Sequence, residues 1–148
     1  MALIGQKIEL FVSSLESSVD FYCRVLGFES GPQRHVTLAG NELQHVPVWN
    51  GPSMIGLGLF ARLDKAHHLR RGGLDAERGL GVELCFYVDD SDLDACYERV
   101  VRECRTPIEP LVMQPWGSRD FRVIDPDGYY VRISGPDRDY RAVRLGAN

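Results

Sequence analysis

Three short segments carry the residues whose types and spacing could do chemistry: KIELFV (7–12), VELCFYV (82–88) and YYVRIS (129–134). Each alternates apolar residues with polar or aromatic ones, the pattern of a strand whose two faces meet different surroundings. If Ile8, Leu10 and Val12 pack inward, Lys7, Glu9 and Phe11 project from the other face. By the same rule Leu84, Phe86 and Val88 leave Glu83, Cys85 and Tyr87 outward, and Val131 and Ile133 leave Tyr130, Arg132 and Ser134. Carboxylates beside cations have two chemical uses. Glu83 or Glu9 can move a proton while Arg132 or Lys7 polarises a carbonyl. Alternatively, Arg132 or Lys7 can hold an anionic or carbonyl group of a ligand. A third reading has no chemistry in it, the charges simply pairing with one another.

The elements that must position these residues occur twice. The strand at 7–12 is followed by a helical segment, SSLESSVDFYCRVLGF, in which Ser13 and Glu16 fit a capping box and Gly27 fits a stop. Leu15, Val19, Tyr22 and Leu26 recur at helical spacing and are expected to face a core. The strand at 82–88 is followed by DDSDLDACYERVVREC, with Ser91 as the expected N-cap and Leu93, Cys96, Tyr97, Val100 and Cys104 as an apolar stripe. Three strand-like segments follow each helix: 34–39, 42–49 and 54–61, then 108–114, 121–125 and 129–134. Asp125-Pro126-Asp127-Gly128 joins the last two as a hairpin turn. Phe11-Val12 matches Tyr87-Val88, and Tyr22-x-Arg24-Val25 matches Tyr97-x-Arg99-Val100, about half a chain apart. The reading is a duplicated βαβββ unit.

Length and composition bound the rest. A chain of 148 residues supports one domain or two small lobes. A net charge of −4 argues against binding nucleic acid or an anionic membrane, and there is no apolar run long enough to span a bilayer. No secretory signal is read at the N-terminus, and Cys23, Cys85, Cys96 and Cys104 form no CxxC pair, so free thiols in a cytoplasmic protein are expected. The basic segment 61–78 reads as a solvated loop, and the charged tail 136–148 as disordered or as a cover for a second copy.

LFVSSLESSVDFYCRVLGFE (10–29), GLGLFAR (56–62), VELCFYVDD (82–90) and QPWGSRDFRVIDPDGYYVRIS (114–134) together resemble the vicinal oxygen chelate superfamily. That superfamily includes glyoxalase I, the bleomycin-resistance proteins and the extradiol dioxygenases. The resemblance implies an α+β fold of two tandem βαβββ modules whose curled mixed sheets form a ligand cleft, in a homodimer. Its expected division is a single domain, 1–148, with a first module at about 5–61 and a loop at about 62–80. A second module at about 81–135 and the tail follow.

Metal-dependent members place ligands at positions that correspond here to Lys7, Glu83, Arg132 and the segment around Gly56 and Gly58. Only Glu83 among these can bind a metal, because Lys and Arg are cationic. His35, His45, His67 and His68 do not fall on those positions. Neither metal nor cofactor is therefore expected. Lys7, Glu9, Glu83 and Arg132 would form a neutral ion cluster in place of the metal, either filling the vacated site or binding a ligand. Phe11, Trp49, Tyr87, Trp116 and Tyr130 would wall the cleft and suit an aromatic or heteroaromatic molecule. Trp116 in its PWG turn also reads as a loop anchor, and Trp49 as a dimer-contact residue. The resemblance is to metal-free members that sequester an antibiotic or metabolite. The alternative is an enzyme of lyase, isomerase or dioxygenase type, using a non-standard metal set or Glu83 as its catalytic acid–base group. A lower-ranked reading has the module binding a partner protein through a sheet edge or the tail.

Overall fold

The structure is a computed structural model that describes residues 2, 4–38, 40–70, 73, 76–106 and 108–146. Residue 39 of the expected 34–39 strand, residues 71, 72, 74 and 75 of the loop, and residues 147 and 148 of the tail lie outside that set. The chain divides between Arg78 and Gly79 into two compact units. Each is an α+β module built on a mixed sheet.

In the first unit, strand β1 (Lys7–Val12) leads into helix α1 (Leu15–Asp20), which continues as a π-helical turn over Phe21–Val25. Strands β2 (Glu29–Ser30), β3 (Arg34–Leu38), β4 (Asn41–Asn50) and β5 (Ser53–Leu59) follow. The sheet runs β1-β5-β4-β2, with β3 also on β4; β1 pairs parallel with β5 and the other pairings are antiparallel. Leu10, Val12, Val46, Val48, Ile55 and Leu57 are buried on the face that carries α1.

Two details differ from the sequence reading. Ser14, not Ser13, caps α1: its backbone is extended, so its Oγ accepts from Ser17 N at 3.2 Å. Ser13 Oγ instead accepts from Arg78 Nη1. The wider π turn also shifts the inward face, so that Phe21 and Val25 are buried with Leu15, Tyr22 and Leu26, while Val19 is only half-buried. Gly27, at φ 79°, ends the helix as expected, its N–H reaching Cys23 O.

The second unit has strand β6 (Glu83–Tyr87), helix α2 (Leu93–Glu103) and strands β7 (Ile108–Met113), β8 (Arg119–Ile124) and β9 (Tyr130–Ser134). Its sheet order is β6-β9-β8-β7, with β6 parallel to β9. Helix α2 starts one residue later than a Ser91 cap requires. A turn in which Asp92 N–H reaches Asp89 O precedes it, which makes Asp92 the capping residue. Leu84, Phe121, Val123, Val131 and Ile133 are buried on the helix side, where Tyr97 packs edge-on to Phe121 with centroids 5.1 Å apart. Leu93 and Val100 are the fully buried members of the helical stripe. Cys96, Tyr97 and Cys104 are half-buried, and Cys104 lies just past the helix end. All four cysteines are free thiols.

The tail is not loose over its described part. Asp137 caps a short helix α3 (Arg138–Tyr140), which runs on as a π turn, Arg141–Leu145. Tyr87 Oη donates to Asp137, the Tyr87 and Tyr140 rings lie 4.6 Å apart, and Arg141 pairs with Asp90. Where disorder was one expectation for this charged segment, the structure has a short helix in which Asp137 and Arg141 find partners within their own unit.

The β8–β9 turn is held by Asp125, which is buried and whose Oδ1 accepts from both Asp127 N (2.9 Å) and Tyr129 N (2.8 Å). Asp125→Ala would leave two backbone donors without that acceptor, and urea unfolding should show a loss of about 1–3 kcal/mol. Asp125→Asn, which keeps a carbonyl oxygen there, should recover part of it.

Candidate functional site

On the face of the second sheet away from α2, the strand register sets Arg122 directly opposite Arg132, with Cys85 beside Arg132 on the other flank. Two guanidiniums at that spacing repel. Two carboxylates set between them remove the conflict. Glu83 Oε1 accepts from Arg122 Nε at 2.9 Å, and its Oε2 lies 3.4 Å from Arg132 Nε. Asp120 Oδ1 accepts from Arg122 Nη1 (2.8 Å) and Gln114 Nε2 (2.7 Å), while Oδ2 stands 3.8 Å from Arg132 Nη1. Burial opposes the charge on Arg122, but the hydrogen bond it donates to Glu83 and the fields of Asp120 and Glu83 outweigh it and keep the group firmly protonated.

The two arginines are not equally committed. Arg122 uses Nε and Nη1 on carboxylates. Arg132 makes one hydrogen bond, from Nε to Cys85 Sγ at 3.2 Å, and its Nη1 and Nη2 make none among the described residues. Asp120 is 0% exposed, and its Oδ2 has no hydrogen-bond partner among the described residues. The Trp116 ring is 43% exposed, with both guanidinium carbons at cation–π range, 5.8 Å for Arg122 and 5.7 Å for Arg132. Its exposed part offers a flat surface beside both guanidiniums. Burial pushes the Cys85 thiol up in spite of Arg132, so it stays a neutral thiol at physiological pH.

Two phenols flank the charges. Tyr130 Oη donates to Glu109 at 2.6 Å, and burial together with that bond pushes its pKa up to about 12. Tyr87 Oη donates to Asp137 at 2.7 Å and is raised further by the same causes. Burial would raise the Asp137 carboxyl, but the Tyr140 backbone N–H, the Tyr87 phenol and the charge of Arg132 together hold it below its ordinary 3.8.

The remaining expected site residues belong to the first unit. Register puts Lys7, Met54 and Trp49 in one row, Glu9, Gly56 and Pro47 in the next, and Phe11, Gly58 and His45 in a third, all on the face away from α1. Glu9 takes Lys7 on one oxygen and His45 Nε2 on the other, at 2.9 Å. Phe11 lies over Gly58 and packs against the cluster of Leu43, Phe60 and Leu63. Trp49 is half-buried beside Gly31.

Glu83, Trp116 and Arg132 are thus brought together in one unit, with Tyr87 and Tyr130 on the same sheet face. Lys7, Glu9, Phe11 and Trp49 share a sheet face in the other. Sequence reasoning missed Asp120, Arg122, Gln114 and His45. SRDFRVI does alternate Asp120 and Arg122 with the buried Phe121 and Val123. Starting that strand at Phe121 hid the pattern. HVPVW likewise alternates His45, Pro47 and Trp49 with the buried Val46 and Val48.

Among the described residues no three His, Cys, Asp or Glu side chains gather where one metal ion would touch them all. The donor set does not fit the metal centre of the resembling family: its positions hold Lys7 and Arg132, and both oxygens of Glu83 face guanidiniums. The same engagement leaves Glu83 poorly placed as a catalytic base.

Residues 6–133 match the family model Glyoxalase/Bleomycin resistance protein/Dioxygenase superfamily. No curated protein matches the chain. Among solved structures, TioX from Micromonospora sp. ML1 is similar at 21% identity and TM-score 0.66, over 88% of this chain and 97% of that one. A lactoylglutathione lyase from Agrobacterium tumefaciens is similar at 25% identity and TM-score 0.61, over 91% and 94%. TnmS3, an antibiotic binding protein from Streptomyces sp. CB03234, is similar at 20% identity and TM-score 0.61, over 93% and 99%. No helix among the described residues is long and apolar enough to cross a membrane.

Two outcomes follow from the charge arrangement. Asp120→Ala leaves Glu83 as the one carboxylate shared by two guanidiniums and should cost about 3–5 kcal/mol in urea unfolding, whereas Asp120→Ala with Arg122→Leu should cost clearly less. For Asp137 the folded carboxyl titrates below the unfolded one, so its contribution is present above pH 3.8 and lost as pH falls through the lower folded value. Asp137→Asn should lower stability at neutral pH and flatten the acid limb of a stability–pH curve.

Proposed function

The chain belongs to the glyoxalase/bleomycin resistance protein/dioxygenase superfamily, and within it we propose that it is a metal-independent binding protein for a small aromatic or heteroaromatic molecule. The ligand carries an anionic or carbonyl group, and the protein acts by sequestering it, as an antibiotic or a metabolite would be sequestered.

One observation carries this reading: the terminal nitrogens of Arg132 make no hydrogen bonds among the described residues, and an exposed indole lies beside them. A guanidinium edge of that kind presents parallel N–H donors that match a carboxylate or a polarised carbonyl in two places at once. Trp116 offers an adjacent flat surface for the ring that bears the group. Glu83 approaches Arg132 at Nε, and Asp120 Oδ2 stands 3.8 Å from Nη1, close enough to hold the cation in place but too far for a hydrogen bond. The fold is one that an antibiotic binding protein, TnmS3, also uses. The lyase that shares it supports an enzymatic reading less well, because here the carboxylate that would act is already held by two arginines.

The test is a fluorescence titration with 2-naphthoate and, as its uncharged counterpart, 2-methylnaphthalene. Saturable quenching by 2-naphthoate is expected, with much weaker binding of the hydrocarbon. Arg132→Gln should weaken naphthoate binding by tenfold or more, equal to about 1.4 kcal/mol. Arg132→Lys should not restore it, since an ammonium lacks the planar fork. Equal affinity in wild type and Arg132→Gln would sink the proposal.

A further inference from the structure

We infer that Glu9 and His45 form a proton-accepting dyad on the open face of the first sheet, one that takes the proton of an acidic hydroxyl, phenolic or enolic, on a flat ligand. This stands apart from the role given to Arg132, because it rests on residues of the other unit.

The dyad exists because the strand between its members has no side chains in the two rows that they occupy. Glu9 is on β1 and His45 on β4, and β5 runs between them with Gly56 and Gly58 in the intervening rows. A Cβ at Gly56 would collide with both Glu9 Oε2 and His45 Nε2, so any other residue would displace the pair. Across that gap the carboxylate and the ring meet at 2.9 Å. Two glycines in a strand interior weaken it, and here they clear room for a polar bond over the sheet.

The direction of the bond assigns the ring its chemistry. A carboxylate only accepts, so in the neutral imidazole the proton sits on Nε2 and the lone pair is left on Nδ1. Nδ1 makes no hydrogen bond among the described residues, and the His45 side chain is 12% exposed. Glu9 is steadied from its other oxygen by Lys7. The charged groups facing the ring are therefore Glu9 and Lys7 from β1 and Arg34, its cross-strand neighbour, from β3; β5 contributes none. Phe11, Pro47 and Trp49 share the same face and give it apolar, flat surroundings.

The step is a single proton transfer. The ligand O–H bond breaks, an N–H bond forms at Nδ1, and the electron pair stays on the ligand oxygen as a phenolate or enolate. The imidazolium so formed lies against the Glu9 carboxylate, and no other reactant is required. This is the carboxylate–imidazole logic of general-base catalysis, whether the protein uses it to bind the anion or to activate it.

The probe is 4-nitrophenol, whose anion absorbs in the visible. At a pH below its own ionisation, wild type is expected to raise the ionised fraction several-fold in a saturable manner. His45→Gln should abolish the part of this rise that persists in an Arg132→Gln background, and Glu9→Gln should reduce that part about tenfold. Nitrogen NMR of histidine-labelled wild type should place the neutral-ring proton of His45 on Nε2, a readout that depends on no variant folding. Absence of saturable binding, equal ionisation by wild type and His45→Gln, or a proton found on Nδ1 would each overturn the proposal.

Discussion

Arg122 and Arg132 face each other across neighbouring strands, and the second unit is organised around making that juxtaposition tolerable. A pair of guanidiniums directly opposite in a sheet is unfavourable by itself. Setting Glu83 on one side and Asp120 on the other converts it into an alternating arrangement of four charges whose sum is zero. Asp120 bears the largest constraint, since it is fully buried and one of its oxygens has no hydrogen bond among the described residues. A buried carboxylate in that position is tolerable only while both cations stay near. The same geometry leaves the terminal nitrogens of Arg132 without hydrogen bonds among the described residues: Glu83 approaches at Nε, and Asp120 Oδ2 stays 3.8 Å from Nη1.

The surrounding elements serve that register. The Asp125 turn fixes how β8 pairs with β9, and a slip of one residue would carry Arg122 and Arg132 to the helix side. Packing of Phe121, Val123, Val131 and Ile133 beneath α2 excludes that alternative, because those four would then be exposed. A bulge between Glu109 and Val112 lets β7 deliver Glu109 to Tyr130 and run on toward Gln114, which reaches Asp120. The tail adds Asp137, which Tyr87 holds at the end of β6.

The first unit solves a different problem with the same βαβββ plan. Its open face has a strip of backbone without side chains at Gly56 and Gly58, and the residues on either side reach across it. The duplicated modules thus present unlike chemistry: a guanidinium edge beside an indole in one, a carboxylate–imidazole pair above glycines in the other.

The sequence by itself determined the element order, the inward faces and the duplication, because alternation and helical spacing are local consequences of which residues avoid water. It also placed Lys7, Glu9, Glu83 and Arg132 on the outward faces, in agreement with the burial of their strand neighbours Leu10, Val12, Leu84, Val131 and Ile133. What it did not determine was who pairs with whom. Glu9 is thirty-six residues from His45, and Glu83 is thirty-nine from Arg122. Such partners meet only through sheet order and register, which depend on long-range strand pairing. Caps shifted by one residue for a related reason: a turn at Asp89–Asp92 moved the start of α2 past Ser91, and at α1 the extended residue is the second of two adjacent serines, Ser14. The charged tail, read locally as loose, is ordered by Tyr87, Asp90 and Tyr140, contacts that exist only once the second sheet is folded.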